Sequence, residues 1–405
     1  MTETGLTIAP GRPDSLPGDR GEPAQQQRIG AASAQRIVEL DGIRGLAVTL
    51  VVFYHYFSAI PPAASNRFLA HLQGLLAMGW SGVDLFFVLS GFLIGGILLD
   101  AKESPRYFQT FYLRRFHRIL PLYYLWIGVF FLMAATSFSH LPAPLRLGPI
   151  RWTLVPIFFL FVQNTVSKQL PGFSSQWFGA LWSLAVEEQF YLAMPLLVRF
   201  LPKRRLVPLL IVTIVGAPLL RAAVFRWYPT HTAQYVLTPC RADALAMGVL
   251  LALIWRDKAW KARLQDRGKL FLGVLFGLLI GVFYIAATHP SPYSYFTSVW
   301  GLSCIDSFFA GILLLALCRP AGYWAAFCRV SALRALGTIS YCVYVIHLAI
   351  NAFCHALLLS SREDISSPRS FAVTLLAGGM TWALAKISWR YFEAPLVRRS
   401  HAYRY

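Results

Sequence analysis

The chain has 405 residues, of which 57% are hydrophobic, 15% aromatic and only 14% charged, proportions that exclude an ordinary water-soluble globule. A formal charge of +19 invites a nucleic-acid reading, but the 37 Lys and Arg are spread over separate loops and form no single stripe or domain face. The positive-inside rule accounts for them better, and no nucleic-acid partner is expected.

Residues 1–36 are rich in Pro, Gly, Gln and Ala and have no apolar core, which predicts a disordered cytoplasmic tail and no cleavable signal peptide. Apolar runs of spanning length follow at about 42–60, 79–99, 117–136, 180–200, 206–225, 238–255, 269–287, 297–317, 333–357 and 370–391. They predict an all-α polytopic membrane protein, a bundle of about ten transmembrane helices over residues 37–396, followed by a short cytoplasmic tail at 397–405. The stretch Trp152 to Val162 is short and Pro-interrupted, so it reads as a re-entrant or interfacial piece. Treating it as a span would invert every later loop and put Lys203-Arg204-Arg205 outside. With ten spans both termini are cytoplasmic, and no soluble catalytic domain is expected at either end. The six cysteines (Cys240, Cys304, Cys318, Cys328, Cys342, Cys354) have no C-x-x-C spacing and read as packing residues, with no metal centre.

The first span, Asp41 to Tyr56, carries Arg44 and His55 eleven positions apart. At about 100° per residue they return to within roughly 20° of one another, on one face about 16 Å apart. Asp41, three positions before Arg44, can pair with the guanidinium and hold it near the cytoplasmic boundary. An ionisable residue at membrane depth marks a functional site by default. The competing reading is a core histidine hydrogen-bonded to a neighbouring helix, with Arg44 reaching out to the interface.

In the second span Gly91 and Gly95 form a G-x-x-x-G pair that allows close helix approach. Asp84 is either a pocket residue or a helix-start acid favoured by the dipole. At the start of the third span Arg114, Arg115 and Arg118 make a basic cluster. Arg115 and Arg118 share a helix face suited to clamping a phosphate, although positive-inside anchoring alone would also place them there.

The fourth span holds Glu187 and Glu188, and Ser183, Glu187 and Tyr191 follow at i, i+4 and i+8 as a polar stripe that must face the bundle interior. The competing reading is that one of these acids neutralises Arg241 or Arg44. Further on, Arg241 with Asp243 and Arg390 with Glu393 read as local charge partners. His347 reads as a buried structural histidine, with a second site residue as the other possibility.

Taken in order, LDGIRGLAVTLVVFYHY, GWSGVDLFFVLSGFLIGG, FYLRRFHRILPLYYL, LWSLAVEEQFYL, LGTISYCVYVIHL and WRYFEAPL resemble the acyltransferase 3 family of integral-membrane acyltransferases. The resemblance implies a ten-helix unit in the plasma membrane, the inner membrane of a bacterium. Its arginine-x10-histidine motif falls on Arg44 and His55, its R-x-x-R motif on Arg115 and Arg118, and its glutamate on Glu187. It implies an acyl-CoA donor, most often acetyl-CoA, with phosphates on Arg44, Arg114, Arg115 and Arg118, and no permanently bound cofactor.

By the same resemblance His55 would be general base or transient acyl carrier, with Glu187 to orient or steady its imidazole; Asp41 is counted with this group as the partner of Arg44. Asp84, Trp182, Glu188 and Tyr191 would meet the acceptor, a hydroxyl of a glycan or glycolipid. Membrane lipid is an expected contact, and a homo-oligomer or glycan-assembly partner is open. Some relatives carry a fused esterase-like domain, which is not expected here. A transporter or flippase of a small glycan or anion would use the same buried charges.

Overall fold

The computed structural model describes residues 37–59, 67–135, 142–145, 155–165, 173–227 and 232–405. The predicted tail at 1–36 lies outside the described residues, as do residues 60, 136 and 152–154 at the margins of predicted segments. Helix α1 (Val38–Phe53) opens with Glu39 and Asp41 in its first turn, where negative charge suits the helix dipole, and widens into a π-turn over Tyr54–Ser58. Such turns recur at functional sites. The short α2 (Arg67–Leu76) and a 3₁₀ turn lead into α3 (Gly82–Asp100).

Helix α4 (Tyr107–Ala135) begins ten residues before the predicted third span. The basic cluster therefore stands on helix, as the shared face read for Arg115 and Arg118 requires. After it come α5 (Val155–Phe159) and α6 (Phe173–Phe178). Five residues cannot cross a membrane, so the described part of the stretch ending at Val162 is a short turn of helix, as expected.

The polar fourth segment is α7 (Trp182–Phe200), followed by α8 (Lys203–Trp227), α9 (Ala233–Val236), α10 (Thr238–Arg256), α11 (Lys258–Asp266) and α12 (Gly268–Thr288). The last part comprises α13 (Leu302–Cys318), α14 (Tyr323–Cys328), α15 (Ser331–Leu359), α16 (Pro368–Ser388) and α17 (Ala394–Ser400).

Among the described residues there is no strand, and the architecture is that of an all-α polytopic membrane protein. Among the described residues all ten predicted runs are helical, and eight helical segments are long and apolar enough to cross a membrane. The two that fall short are α1 and α7, the helices that carry Arg44 and the glutamate pair.

Burial ranks the helices. In the segment containing α3, 72% of the apolar window is buried, against 11% in α12, so α3 is central and α12 presents Phe276 and Phe283 outward, as a lipid-facing helix does. Helix α3 packs on α10, and α1 on α15. Both contacts depend on glycine. A Cβ on Gly91 would overlap the Leu245 carbonyl, and one on Gly337 would overlap the carbonyl of Asp41. Without side chains there, the backbones meet directly.

Three buried acids and two buried arginines sit among α3, α8, α10 and α13. Arg241 pairs with Asp84. Arg221 donates to Asp243 at 2.8 Å, to the Cys240 carbonyl at 2.7 Å and to Ser303 Oγ at 2.6 Å. Arg241 and Asp243 are thus not the local pair expected from sequence. Residues two apart on a helix point in different directions, and each finds its partner on another helix. Arg390 and Glu393 fall in a further π-turn, Trp389–Glu393, and there Glu393 accepts a hydrogen bond from Ser388 at 2.8 Å.

Candidate active site

The second turn of α1, α3 from Val83 to Ile94, α4 around Arg115 to Ile119, the first half of α7 and α15 around Ser340 to Tyr344 meet around a cavity of about 130 Å³. Its polar lining is Arg44, Ser90, Arg115, Arg118, Ser183, Glu187, Tyr191, Ser340, Tyr341 and Tyr344. Ser183, Glu187 and Tyr191 all reach it, so the predicted polar stripe of α7 is the wall of this chamber. Tyr191 and Ser90 share a hydrogen bond of 2.8 Å between their hydroxyls across α7 and α3.

The chamber runs into an outer vestibule of about 260 Å³ that shares Arg44, Arg115 and Arg118 and adds Arg114, Val397, Ser400 and His401. Arg44 is held by Asp41 at 3.2 Å, the i, i+3 pairing expected from sequence. Arg114 donates to the Tyr403 carbonyl at 2.9 Å and lies over the Tyr405 ring, which fixes it at the rim. Arg115 Nε is buried with no hydrogen-bond partner among the described residues. A cationic donor group left unsatisfied in a cavity suits an anionic oxygen. With Glu187 as the carboxylate of the chamber lining, the combined space is strongly positive and matches a phosphate-bearing ligand.

At the far end the chamber closes on Tyr344, whose hydroxyl lies 2.6 Å from Ser183 Oγ and donates to the Ala180 carbonyl at 3.1 Å. One ring beyond is a pair of imidazoles. His347, buried on α15, places Nε2 3.0 Å from Nδ1 of His55, and its Nδ1 lies 2.8 Å from the Tyr344 carbonyl. The Tyr344 and His347 ring centroids are 5.9 Å apart. His55 itself is half-buried at the second position of the π-turn. Arg44 and His55 therefore do not share a cavity: Arg44 lines the chamber and His55 stands past its inner wall.

The other predicted site residues are dispersed. Asp84 is fully buried in its ion pair with Arg241 and lines neither cavity. Trp182 packs edge-on against Phe87 and against Tyr235, an aromatic core contact. Glu188 lines neither cavity, and its Oε1 is buried with no hydrogen-bond partner among the described residues. His347, read from sequence as a buried structural histidine or a second site residue, is buried and stands against His55. The signal was there in the histidine itself, but its partner lies 292 positions away.

Compared with known proteins, residues 37–387 match the acyltransferase domain of the acyltransferase 3 family. The chain belongs to this family. Among curated relatives it is 30% identical over 380 residues to the peptidoglycan O-acetyltransferase OatA of Listeria monocytogenes, a match covering 90% of this chain and 56% of that protein. It is 26% identical over 376 residues to the O-acetyltransferase OatA of Staphylococcus aureus, covering 89% of this chain and 57% of the relative. The chain thus spans little more than half the length of these family members. No solved structure matches it.

Proposed function

We propose that the protein is a membrane O-acyltransferase that moves an acetyl group from acetyl-CoA to a hydroxyl of a glycan. The observation that carries this reading is the arginine-lined vestibule leading to a chamber that ends one ring short of a paired imidazole. The CoA phosphates sit on Arg114, Arg115 and Arg118 with Arg44 behind them, and the pantetheine arm extends along α3 toward Ser183 and Tyr344. The vestibule faces the cytoplasm, as the supply of acyl-CoA requires, in the inner membrane of a bacterium.

The acceptor hydroxyl approaches from the His55 side. His55 takes the hydroxyl proton, the oxygen forms a bond to the thioester carbonyl carbon, and the carbon–sulfur bond breaks to release CoA thiolate. The guanidinium groups of Arg44 and Arg115, with Glu187 between them, hold the donor end in place. That two family relatives are named O-acetyltransferases, one of them for peptidoglycan, supports acetyl as the group moved and a glycan as the acceptor class.

The test is transfer from radiolabelled acetyl-CoA to N-acetylglucosamine oligomers by the purified protein in nanodiscs. The expected result is labelled glycan with one CoA released per acetyl moved, lost in His55→Ala. Uptake of an intact glycan or anion into proteoliposomes with no CoA release would instead make the protein a transporter.

A further inference from the structure

We propose that His347 is a positioning residue that selects the tautomer of His55. The inference rests on the reading of His55 as general base and adds the group that makes it one.

The argument uses only donors and acceptors. Nδ1 of His347 lies 2.8 Å from the carbonyl of Tyr344 and 3.2 Å from that of Val343. A carbonyl oxygen can only accept, so this nitrogen carries the hydrogen. In the neutral ring Nε2 of His347 is then a bare acceptor. It faces Nδ1 of His55 at 3.0 Å, so Nδ1 of His55 must be the donor. That leaves the lone pair of His55 on Nε2, the nitrogen directed away from the pair. When His55 takes a proton from an acceptor hydroxyl, the hydrogen arrives on Nε2. The Nδ1–H bond to His347 persists through the step, so the ring need not turn.

The backbone holds this arrangement firmly. Tyr56, one residue after His55, donates its hydroxyl to the His347 carbonyl at 2.9 Å and lies 2.9 Å from Thr381 Oγ1. The π-turn and the middle of α15 are thereby tied at two points, side chain to side chain and side chain to backbone. Two imidazoles could also meet with both facing nitrogens protonated or both bare, but neither gives a hydrogen bond at this separation. An orienting hydrogen bond to the rear nitrogen of a catalytic histidine is the role a carboxylate commonly takes. Here a second imidazole, uncharged and buried, occupies that place.

The test compares His347→Leu, which removes the acceptor, with His347→Gln, whose side-chain oxygen can still accept from Nδ1 of His55. For His347→Leu, kcat for acetyl transfer should fall about 10²-fold with KM for acetyl-CoA changed less than threefold. His347→Gln should recover at least a tenth of the wild-type rate. Separately, ¹⁵N spectra of histidine-labelled protein, with the His55 signals identified by their loss in His55→Ala, should show the hydrogen on Nδ1 in the wild type. In His347→Leu they should show the other tautomer or a mixture.

If His55→Ala keeps full transfer, the general-base reading fails. If His55→Ala is inactive while His347→Leu is as fast as wild type, only the positioning role fails. If His347→Leu does not fold, the wild-type spectrum and the rate of His347→Gln decide. A His55 hydrogen on Nε2 in the wild type overturns the proposal whatever the rates.

Discussion

The hydroxyls of Ser183 and Tyr344 lie 2.6 Å apart across α7 and α15, and this contact forms the inner wall between the arginine-lined chamber and the histidine pair. Tyr344→Phe removes that bond and the one to the Ala180 carbonyl, at a cost to stability of about 1 kcal/mol, and leaves the ring in place. Tyr344→Ala removes the wall. The expected outcome is that Tyr344→Ala hydrolyses acetyl-CoA faster relative to glycan acetylation, because water reaches the thioester. An unchanged ratio of free acetate to acetylated glycan would remove Tyr344 from this role.

Arg115 and Arg118 stand one turn apart and line both cavities. A charge-assisted hydrogen bond contributes about 1.5–3 kcal/mol, so Arg115→Ala or Arg118→Ala should each raise KM for acetyl-CoA about tenfold or more. With the phosphates far from the reacting carbon, kcat should change little, the pattern of uniform binding. Steady-state kinetics at varied acetyl-CoA decides this. A fall in kcat at constant KM would place these arginines at the chemistry and away from the phosphates.

Arg221 is fully buried and spreads two nitrogens over four oxygens, adding the Val299 carbonyl at 3.3 Å to the contacts already given. Arg221→Met leaves the Asp243 carboxylate without its cation, and removing one member of a buried pair costs about 3–5 kcal/mol. Arg221→Lys should recover only part of the loss, since one ammonium cannot reproduce the planar fork. Unfolding in detergent micelles measures both. Equal stability of Arg221→Met and wild type would mean that Asp243 is neutral or solvated in the native protein.

Asp257 lies in the short link after α10, outside the spanning segments, and caps α11. Its carboxylate accepts from the backbone N–H of Trp260 at 3.3 Å and of Ala259 at 3.0 Å and pairs with Lys203 at 3.3 Å. The Trp260 N–H first, then the Lys203 ammonium, hold its pKa below the usual carboxylate value. A depressed pKa stabilises the folded form above the unfolded value, about 3.9, and the contribution disappears as pH falls through the lower folded value. Amide exchange at Ala259 and Trp260 should therefore lose protection below about pH 4. Asp257→Asn keeps a capping oxygen and should flatten that pH dependence. If the variant and wild type respond alike, the cap does not set the protection.

The helices were legible because an apolar run reports the thickness of the bilayer, and among the described residues all ten runs are helical. The run does not report where a helix stops outside the bilayer, which is why α4 starts at Tyr107 and not at 117. Within the site, Asp41 with Arg44 and the Ser183, Glu187, Tyr191 stripe were readable because they are spaced three or four apart on one helix. Asp84 with Arg241, and His55 with His347, were not. Each of these contacts joins helices far apart in the chain, and the local pattern around each residue fits a structural role equally well. The glycines mark such places indirectly, since Gly91 and Gly337 are where α3 meets α10 and α15 meets α1.

The buried charges on α3, α8, α10 and α13 also bear on how the chain is made. An unpaired Arg or Asp within a membrane helix is costly, and α8 carries Arg221 while its partner Asp243 is not yet synthesised. Arg241 on α10 meets Asp84 only when α3, 157 residues earlier, is still within reach. Biogenesis of this bundle is therefore a matter of retention. Early helices must be held beside the insertion machinery until α10 emerges, and a nascent chain cut short before Asp243 should be recognised as incomplete by its unneutralised arginine.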